Sequence, residues 1–331
     1  MKFLVIGLGS MGKRRIRNLK ALGESDIFGF DIQKQRCEEV LNDYKIQIVD
    51  SININVIKDF DVLFVCTSPA EHAKYINLAI DGNKHCFVEA SVVCDGLHEL
   101  ADRVEKTDLK IYASCTLRFH PAIKKIKKLI EEGKIGKLSN FSYHSGQYLP
   151  DWHPWEDIRD YYVSKKETSG CREIVPFELT WLNDIFGNVD KITGIYGKTI
   201  DLVVDIDDVY ALAIKYKSGI IGTLLVDVVS RFAIRQIIIN GDKGQISWNW
   251  NADIIEHYNA DSNQWESHEV KRGMSAVGYN NNIIEEMYID EVSAFLNAIR
   301  NQLPVKNSLR DDIYTLGCLY TAEQSQSIAI S

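Results

Sequence analysis

The sequence predicts an α/β protein in two parts. An N-terminal doubly wound domain spans 1–117, and a C-terminal α+β domain with a large open, mainly antiparallel sheet spans 118–331. Three observations carry this. Short apolar runs alternate with helical patterns as far as Thr116. A glycine loop joins the first run to the first helix, and an acid closes the second run. From Lys191 onward the rhythm changes to strand-like alternation divided by glycine turns.

Lys2-Phe3-Leu4-Val5-Ile6 is an apolar strand, and Gly7-Leu8-Gly9-Ser10-Met11-Gly12 follows at once. Gly7 allows the tight turn off the strand. Gly9 lets the backbone approach a pyrophosphate, and Gly12 lets the next helix pack closely on the sheet. That helix places Met11, Ile16, Leu19 and Leu22 on one face. Its N-terminus, with Ser10 and Met11, offers N–H groups and a positive dipole end to phosphates. The second strand, Ile27-Phe28-Gly29-Phe30, is closed by Asp31, 19 residues beyond Gly12. That is the spacing of an acid that binds a ribose 2′-hydroxyl. A 2′-phosphate is repelled there, which favours NAD over NADP, while Lys34 and Arg36 weaken the preference. The pattern is a Rossmann dinucleotide fingerprint. The competing reading is a flavodoxin-like βαβ unit with a fortuitous glycine turn.

The rhythm continues with a helix over 35–44, a strand at Ile46-Gln47-Ile48-Val49, and the buried strand Asp61 to Cys66. Thr67-Ser68-Pro69 breaks that strand, and a helix runs from Glu71 to Asp81. Lys84 to Glu89 is a strand, Leu97 to Lys106 a helix, and Lys110 to Ser114 the sixth strand. Beyond it, Pro121 to Glu132 is a helix with an apolar stripe and a basic face of four lysines, read as a solvated side. Leu138 to Tyr148 is a strand, and Gly170 to Phe186 a helix. Val209 to Ile214, Ile220 to Val226, Arg235 to Asn240 and Gln245 to Trp250 read as an antiparallel meander with one face to cover. Helices are expected from Asn282 to Gln302 and from Leu309 to Ile330.

The bulk numbers bound the function. At 331 residues, 45% hydrophobic and 25% charged, the chain is of ordinary globular composition and long enough for two domains. A net charge of −8 argues against nucleic acid as the main partner. No apolar stretch approaches a membrane span, and a strand beginning at residue 2 leaves no room for a signal peptide. The seven cysteines include no CxxC pair, so they read as small buried thiols in a reducing cytoplasm rather than bridges or a zinc site. No metal ligand set is read.

The chain resembles the Gfo/Idh/MocA oxidoreductases, a family that includes glucose–fructose oxidoreductase and inositol dehydrogenase. The resemblance rests on Gly7-x-Gly9-x-x-Gly12-x-x-Arg15, Cys66-Thr67-Ser68-Pro69-x-x-His72, Val88-Glu89, Leu117-Arg118-Phe119-x-Pro121 and Gly241-x-x-Gly244-x-Ile246, and it covers essentially the whole chain. It implies an NAD or NADP cofactor and hydride transfer at a carbinol carbon of a sugar, cyclitol or related small molecule. It implies cofactor contacts from Thr67, Ser68, Pro69, His72 and Glu89, with helix capping the alternative for His72. It also implies pairing of C-terminal sheets into a homodimer or homotetramer, for which an uncovered sheet face gives a physical reason.

The chain departs from the family pattern at the proton-transfer groups. The resemblance leads one to expect Glu-Lys-Pro where Glu89-Ala90-Ser91 stands, and Ala90 holds no proton. It leads one to expect Asp and His four residues apart where Glu173 and Phe177 stand. Acid–base chemistry needs a group with a pKa near working pH, and the aromatic and charged stretch from Gln147 to Lys166 offers several. His153 is the first choice, with packing between Trp152 and Trp155 the alternative. Glu173 is next, as base or orienter, or as a carboxylate favoured by the helix dipole. Tyr161 with Lys165 is third. Arg118 and Arg172, with Asp151, are substrate-binding candidates, and structural ion pairs are the alternative for the arginines. His120 is a further group for the cleft. Two functions follow: an NAD-dependent oxidoreductase with relocated acid–base groups, or a non-catalytic relative that binds dinucleotide and sugar.

Overall fold

A computed structural model describes residues 1–152, 157–252, 254–270, 273–275 and 283–325. The chain condenses into two units, 1–116 with 285–314, and 117–284 with 315–331. A single cut at 117/118 gives no place for the return of 285–314 to the first unit.

The first unit alternates strand and helix: β1 (Phe3–Ile6), α1 (Ser10–Ala21), β2 (Ile27–Phe30), α2 (Lys34–Tyr44), β3 (Gln47–Ile48), α3 (Ile54–Ile57), β4 (Val62–Val65), α4 (His72–Asp81), β5 (His85–Val88), α5 (Leu97–Val104) and β6 (Ile111–Ala113). The six strands are parallel, in the order β3-β2-β1-β4-β5-β6. Every residue of β1 and β4 is buried, as a sheet covered on both faces requires. The winding reverses between β1 and β4, so the loops after these two strands flank the point where doubly wound sheets bind ligands. Phe64, Phe87 and Tyr112 stack in a row at 5.1 and 5.2 Å, and Phe295 meets all three rings at 5.6–5.9 Å. That ring is the reason residues 285–300 belong to this unit.

The second unit holds α6 (Pro121–Glu131), β7 (Leu138–Tyr148), α7 (Gly170–Phe186), β8 (Val189–Gly197), β9 (Val209–Tyr216), β10 (Ile221–Asp227), β11 (Val229–Gly241), β12 (Gly244–Asn249), β13 (Ile254–Asn259) and β14 (Gln264–Glu269). Two helices follow, α8 (Glu285–Arg300) in the first unit and α9 (Leu309–Gln324), divided at residue 314. Among the described residues α8 falls within the expected 282–302, and for α9 the tail 326–331 lies outside the described residues.

The eight strands run in the order β14-β13-β12-β11-β7-β10-β9-β8. The sheet is mainly antiparallel, but it is not a simple meander. β7 lies between β10 and β11 and pairs in parallel with β10. Local hairpin signals cannot show this, because β7 takes its partners from far along the chain. The hairpin of β13 and β14 was also not foreseen: β14 is an edge strand with an exposed, polar sequence. On β9, Tyr210, Leu212, Ile214 and Tyr216 are buried and the residues between them exposed, so one face of the sheet packs and the other is open.

α7 supplies the packing on the covered face. Its buried Glu178 accepts hydrogen bonds from Tyr143 (2.7 Å), Ser145 (2.8 Å), Trp181 (2.8 Å) and Arg235 (2.7 Å). A buried charge with this many donors is satisfied, whereas an unpaired one would be costly.

Candidate functional site

The glycine loop fits a dinucleotide for reasons visible in its own geometry. Gly7 has φ +89°, and a Cβ there would lie 2.6 Å from the Cys66 carbonyl oxygen. A Cβ on Gly12 would lie 1.9 Å from the Gly7 carbonyl oxygen. Both are therefore required by the fold. Gly9 is different: its φ is −70°, and a Cβ would meet only the Arg36 guanidinium, at 3.6 Å. The protein leaves room for a side chain at Gly9, so close approach of a ligand is what a side chain there would obstruct. Gly9 is also the N-cap of α1 and gives no side-chain cap to the N–H groups of Ser10, Met11 and Gly12.

Asp31 anchors this loop. Its Oδ2 accepts from the Leu8 N–H at 2.7 Å and its Oδ1 from the Gln33 N–H at 2.8 Å. Each carboxylate oxygen keeps capacity for a further donor. Arg36 stands 3.8 Å from Asp31 Oδ2, so the acid that would receive a ribose hydroxyl has a cation beside it.

After β4, Pro69 is buried at the start of a 3-10 turn, and the Glu71 N–H donates to the Ser68 carbonyl at 3.0 Å. His72 is buried, with Nε2 3.1 Å from the Thr67 carbonyl oxygen. Burial pushes its pKa down to about 4, and the Thr67 carbonyl only partly opposes this. A neutral imidazole donating to that carbonyl positions Thr67 and Ser68. Glu89 is gripped by Arg15 at 2.6 and 3.0 Å. It therefore fixes α1 against β5 beside the loop. Ala90, half-buried, follows it.

In the second unit the described residues after β7 form 3-10 turns at Leu149–Asp151, Ile158–Asp160, Tyr162–Ser164 and Lys166–Thr168. Tyr162 Oη donates to Glu173 Oε1 at 3.0 Å. Sequence reading passed over Tyr162, since two adjacent tyrosines look alike until the turn fixes which one points to α7. Tyr161 stands edge-on to Tyr162 at 6.1 Å, and Lys165 is exposed. Asp151 is exposed, and His153 lies outside the described residues. Glu173 is in the first turn of α7, capped by Ser169, with Phe177 one turn further along, and both are half-buried.

For the arginines the geometry supports the ion-pair alternative. Arg172 holds Glu323 through Nε (2.6 Å) and Nη2 (2.9 Å), and its Nη1 donates to the Glu167 carbonyl (2.6 Å). Arg118 Nε donates to the Thr180 carbonyl at 3.0 Å, with Asp184 3.9 Å away. The Arg172 fork is spent on the fold, and Arg118 is tied to α7 through Nε. His120 caps α6, its Nδ1 accepting from the Ala122 N–H at 3.2 Å, and its ring lies against Trp248. Burial, then the charges of Arg235 and Lys124, press its pKa to about 3.

Two family models match the chain. Residues 1–113 match the oxidoreductase family with an NAD-binding Rossmann fold, and residues 123–247 match the GFO/IDH/MocA C-terminal domain. The chain belongs to the Gfo/Idh/MocA family. Its first unit is the family's NAD-binding Rossmann fold. An uncharacterized oxidoreductase of Bacillus subtilis is 31% identical over 137 residues, 40% of each chain. Myo-inositol 2-dehydrogenase of Thermotoga maritima is 26% identical over 41% of this chain and 42% of its own. These matches thus span less than half the length of the curated relatives. A levoglucosan dehydrogenase solved in complex with NADH superposes with a TM-score of 0.83 at 19% identity, over 98% of this chain and 96% of its own, which bears on the fold. Among the described residues, no helix of this Gfo/Idh/MocA protein is long and apolar enough to cross a membrane.

Proposed function

We propose that the chain is an NAD-dependent oxidoreductase that acts at a carbinol or carbonyl carbon of a sugar, amino sugar or related small polyol. The observation that carries this is Gly9, a glycine in the phosphate-binding loop that the protein's own packing does not require. Relatives named as myo-inositol and levoglucosan dehydrogenases support the substrate class. NAD, when bound, supplies the site that takes or gives the hydride. Gly7, Gly9, Ser10, Met11 and Gly12 hold its phosphates, Asp31 its ribose, and the Thr67-Ser68-Pro69 turn, kept in place by His72, lies alongside. Arg36, beside Asp31, leaves NADP open as a second cofactor.

Tyr162 and Glu173 move the proton. In the oxidation direction the phenol oxygen takes the substrate's hydroxyl proton as the phenol passes its own hydrogen to Glu173 Oε1, and in reduction the same two protons move back. His153, Tyr161, Lys165 and Asp151 belong to the same stretch and complete the substrate side.

Tight binding of NADH to the wild-type chain, together with NAD reduction by members of a panel of cyclitols, hexoses and anhydrosugars, is the expected result. Cofactor binding without turnover of any alcohol in that panel would leave a binding protein and sink the enzyme reading.

The chain is read further as a homodimer or homotetramer formed through the second unit's sheet, in a reducing cytoplasm. Ile195, Ala211 and Leu225 stand in register across β8, β9 and β10 on the open face, with Ile221 exposed nearby. The seven cysteines are free thiols, and Cys86, Cys115, Cys171 and Cys318 are buried. Light scattering on Ile195→Lys with Leu225→Lys should show a smaller particle than the wild type. An unchanged mass would remove this face from the assembly.

A further inference from the structure

The hairpin of β13 and β14 brings three side chains together on one face. His257 stands opposite Glu266 in the register, and His268 stands opposite Ile255, so all three project to the same side. His257 is fully buried, and its Nε2 lies 3.2 Å from the Lys134 carbonyl oxygen. A carbonyl accepts only, so Nε2 carries the hydrogen and Nδ1 presents a lone pair. That Nδ1 is buried, has no hydrogen-bond partner among the described residues, and faces Glu266 Oε2 at 3.7 Å. His268 Nε2 is likewise buried without a hydrogen-bond partner among the described residues.

The three groups' ligand-type atoms lie within 4.8 Å of one another. His257 Nδ1 and the Glu266 carboxylate are two acceptors facing each other, which repel, and buried polar atoms without partners carry a desolvation penalty. A proton on His257 Nδ1 would answer Glu266 but leave His268 Nε2 unanswered.

We infer that His257, Glu266 and His268 bind a divalent transition-metal ion of the zinc type. Two imidazole nitrogens with one carboxylate suit zinc, copper or nickel better than calcium or magnesium, and they leave one tetrahedral position for water. Bonds of about 2.1 Å place tetrahedral ligand atoms about 3.4 Å apart, so the side chains must close by up to roughly 1.4 Å. Glu266 is exposed and has room to turn. The Lys134 carbonyl fixes the His257 tautomer and orientation, as carbonyls commonly do behind metal-bound histidines. The ion would tie edge strand β14 to β13. The hairpin carries none of the residues assigned above to hydride or proton transfer, so the site is separable from them.

The test is equilibrium dialysis of the full chain against Zn²⁺ alone, with bound metal counted and thermal unfolding followed. The wild type should retain one equivalent that Glu266→Gln and His268→Gln each bind about tenfold or more weakly. Zn²⁺ should raise the unfolding midpoint of the wild type and not of His268→Gln. Glu266→Gln replaces an exposed carboxylate and keeps the test valid if His268→Gln folds poorly. Metal retained equally by the wild type and both variants, as the thiols alone would do, overturns the site. So does a wild-type chain that retains none.

Discussion

Arg15, fully buried in α1, holds Glu89 at the end of β5 with hydrogen bonds of 2.6 and 3.0 Å. Its Nη1 lies 3.0 Å from Glu291, which is also fully buried and accepts from the Cys115 N–H and the Ser114 and Thr116 hydroxyls. One cation thus serves two carboxylates, and its guanidinium lies 4.5 Å over the Phe87 ring. Removing one partner of a buried pair costs about 3–5 kcal/mol. Arg15→Met should therefore destabilise the first unit by that order, whereas Glu89→Gln, which keeps an acceptor and leaves Glu291 in place, should cost less. All six tryptophans lie between Trp152 and Trp265. Denaturant unfolding of Arg15→Met should accordingly shift in far-ultraviolet circular dichroism before it shifts in tryptophan fluorescence. Coincident, unshifted transitions would contradict this.

The glycine loop separates fold from ligand. Gly12→Ala should fold poorly or lose several degrees of melting temperature, because its Cβ meets backbone at 1.9 Å. Gly9→Ala should melt like the wild type, its Cβ having room, yet bind NADH at least about tenfold more weakly, about 1.4 kcal/mol. Calorimetry of both variants checks the pair. Unchanged affinity in Gly9→Ala would remove the phosphate role of the loop.

Tyr162→Phe and Glu173→Gln should each lower kcat, by a factor on the order of 10²–10⁴ for a positioned proton donor or base, with NADH affinity unchanged. Loss of cofactor affinity together with rate would make these residues structural. Full activity in Tyr162→Phe would pass the proton role to another group of the same stretch.

Acid should weaken both units in a defined window. His72, pressed to about 4, and His120, pressed to about 3, are each held neutral mainly by burial. The unfolded chain therefore takes up these protons first, near pH 6.5. The stability they protect is complete above that pH and is lost as pH falls toward the folded values, at up to about 1.4 kcal/mol per unit and per histidine. Denaturant midpoints between pH 7 and 5 should fall, and His72→Gln should flatten the slope seen by circular dichroism. An unaltered slope in that variant would show that His72 does not titrate in this way.

The sequence made the first unit legible because a parallel sheet buried on both faces writes itself as short apolar runs, and because Gly7, Gly12 and Asp31 are bound to one another by local geometry. The second unit was legible only by pieces. Hairpin signals mark β9 with β10 and β11 with β12, but nothing local says that β7 divides them. Arg172 looked available because its partner, Glu323, lies 151 residues away. Tyr162 and Tyr161 differ by one position, and only the intervening turn decides which phenol reaches Glu173. β14 went unseen because an exposed edge strand carries no apolar alternation.

The place of β7 bears on how the chain is made. Ser142 meets Thr223 81 residues later, and Asn140 meets Asn240 100 residues later. A nascent chain therefore emerges with its central strand first and must wait for both neighbours to be synthesised. During that interval the strand has two unsatisfied edges, and closing loops of this length is slow. The first unit has its six strands complete by Ala113, so the ribosome would deliver a sheet already assembled ahead of one that has only its middle.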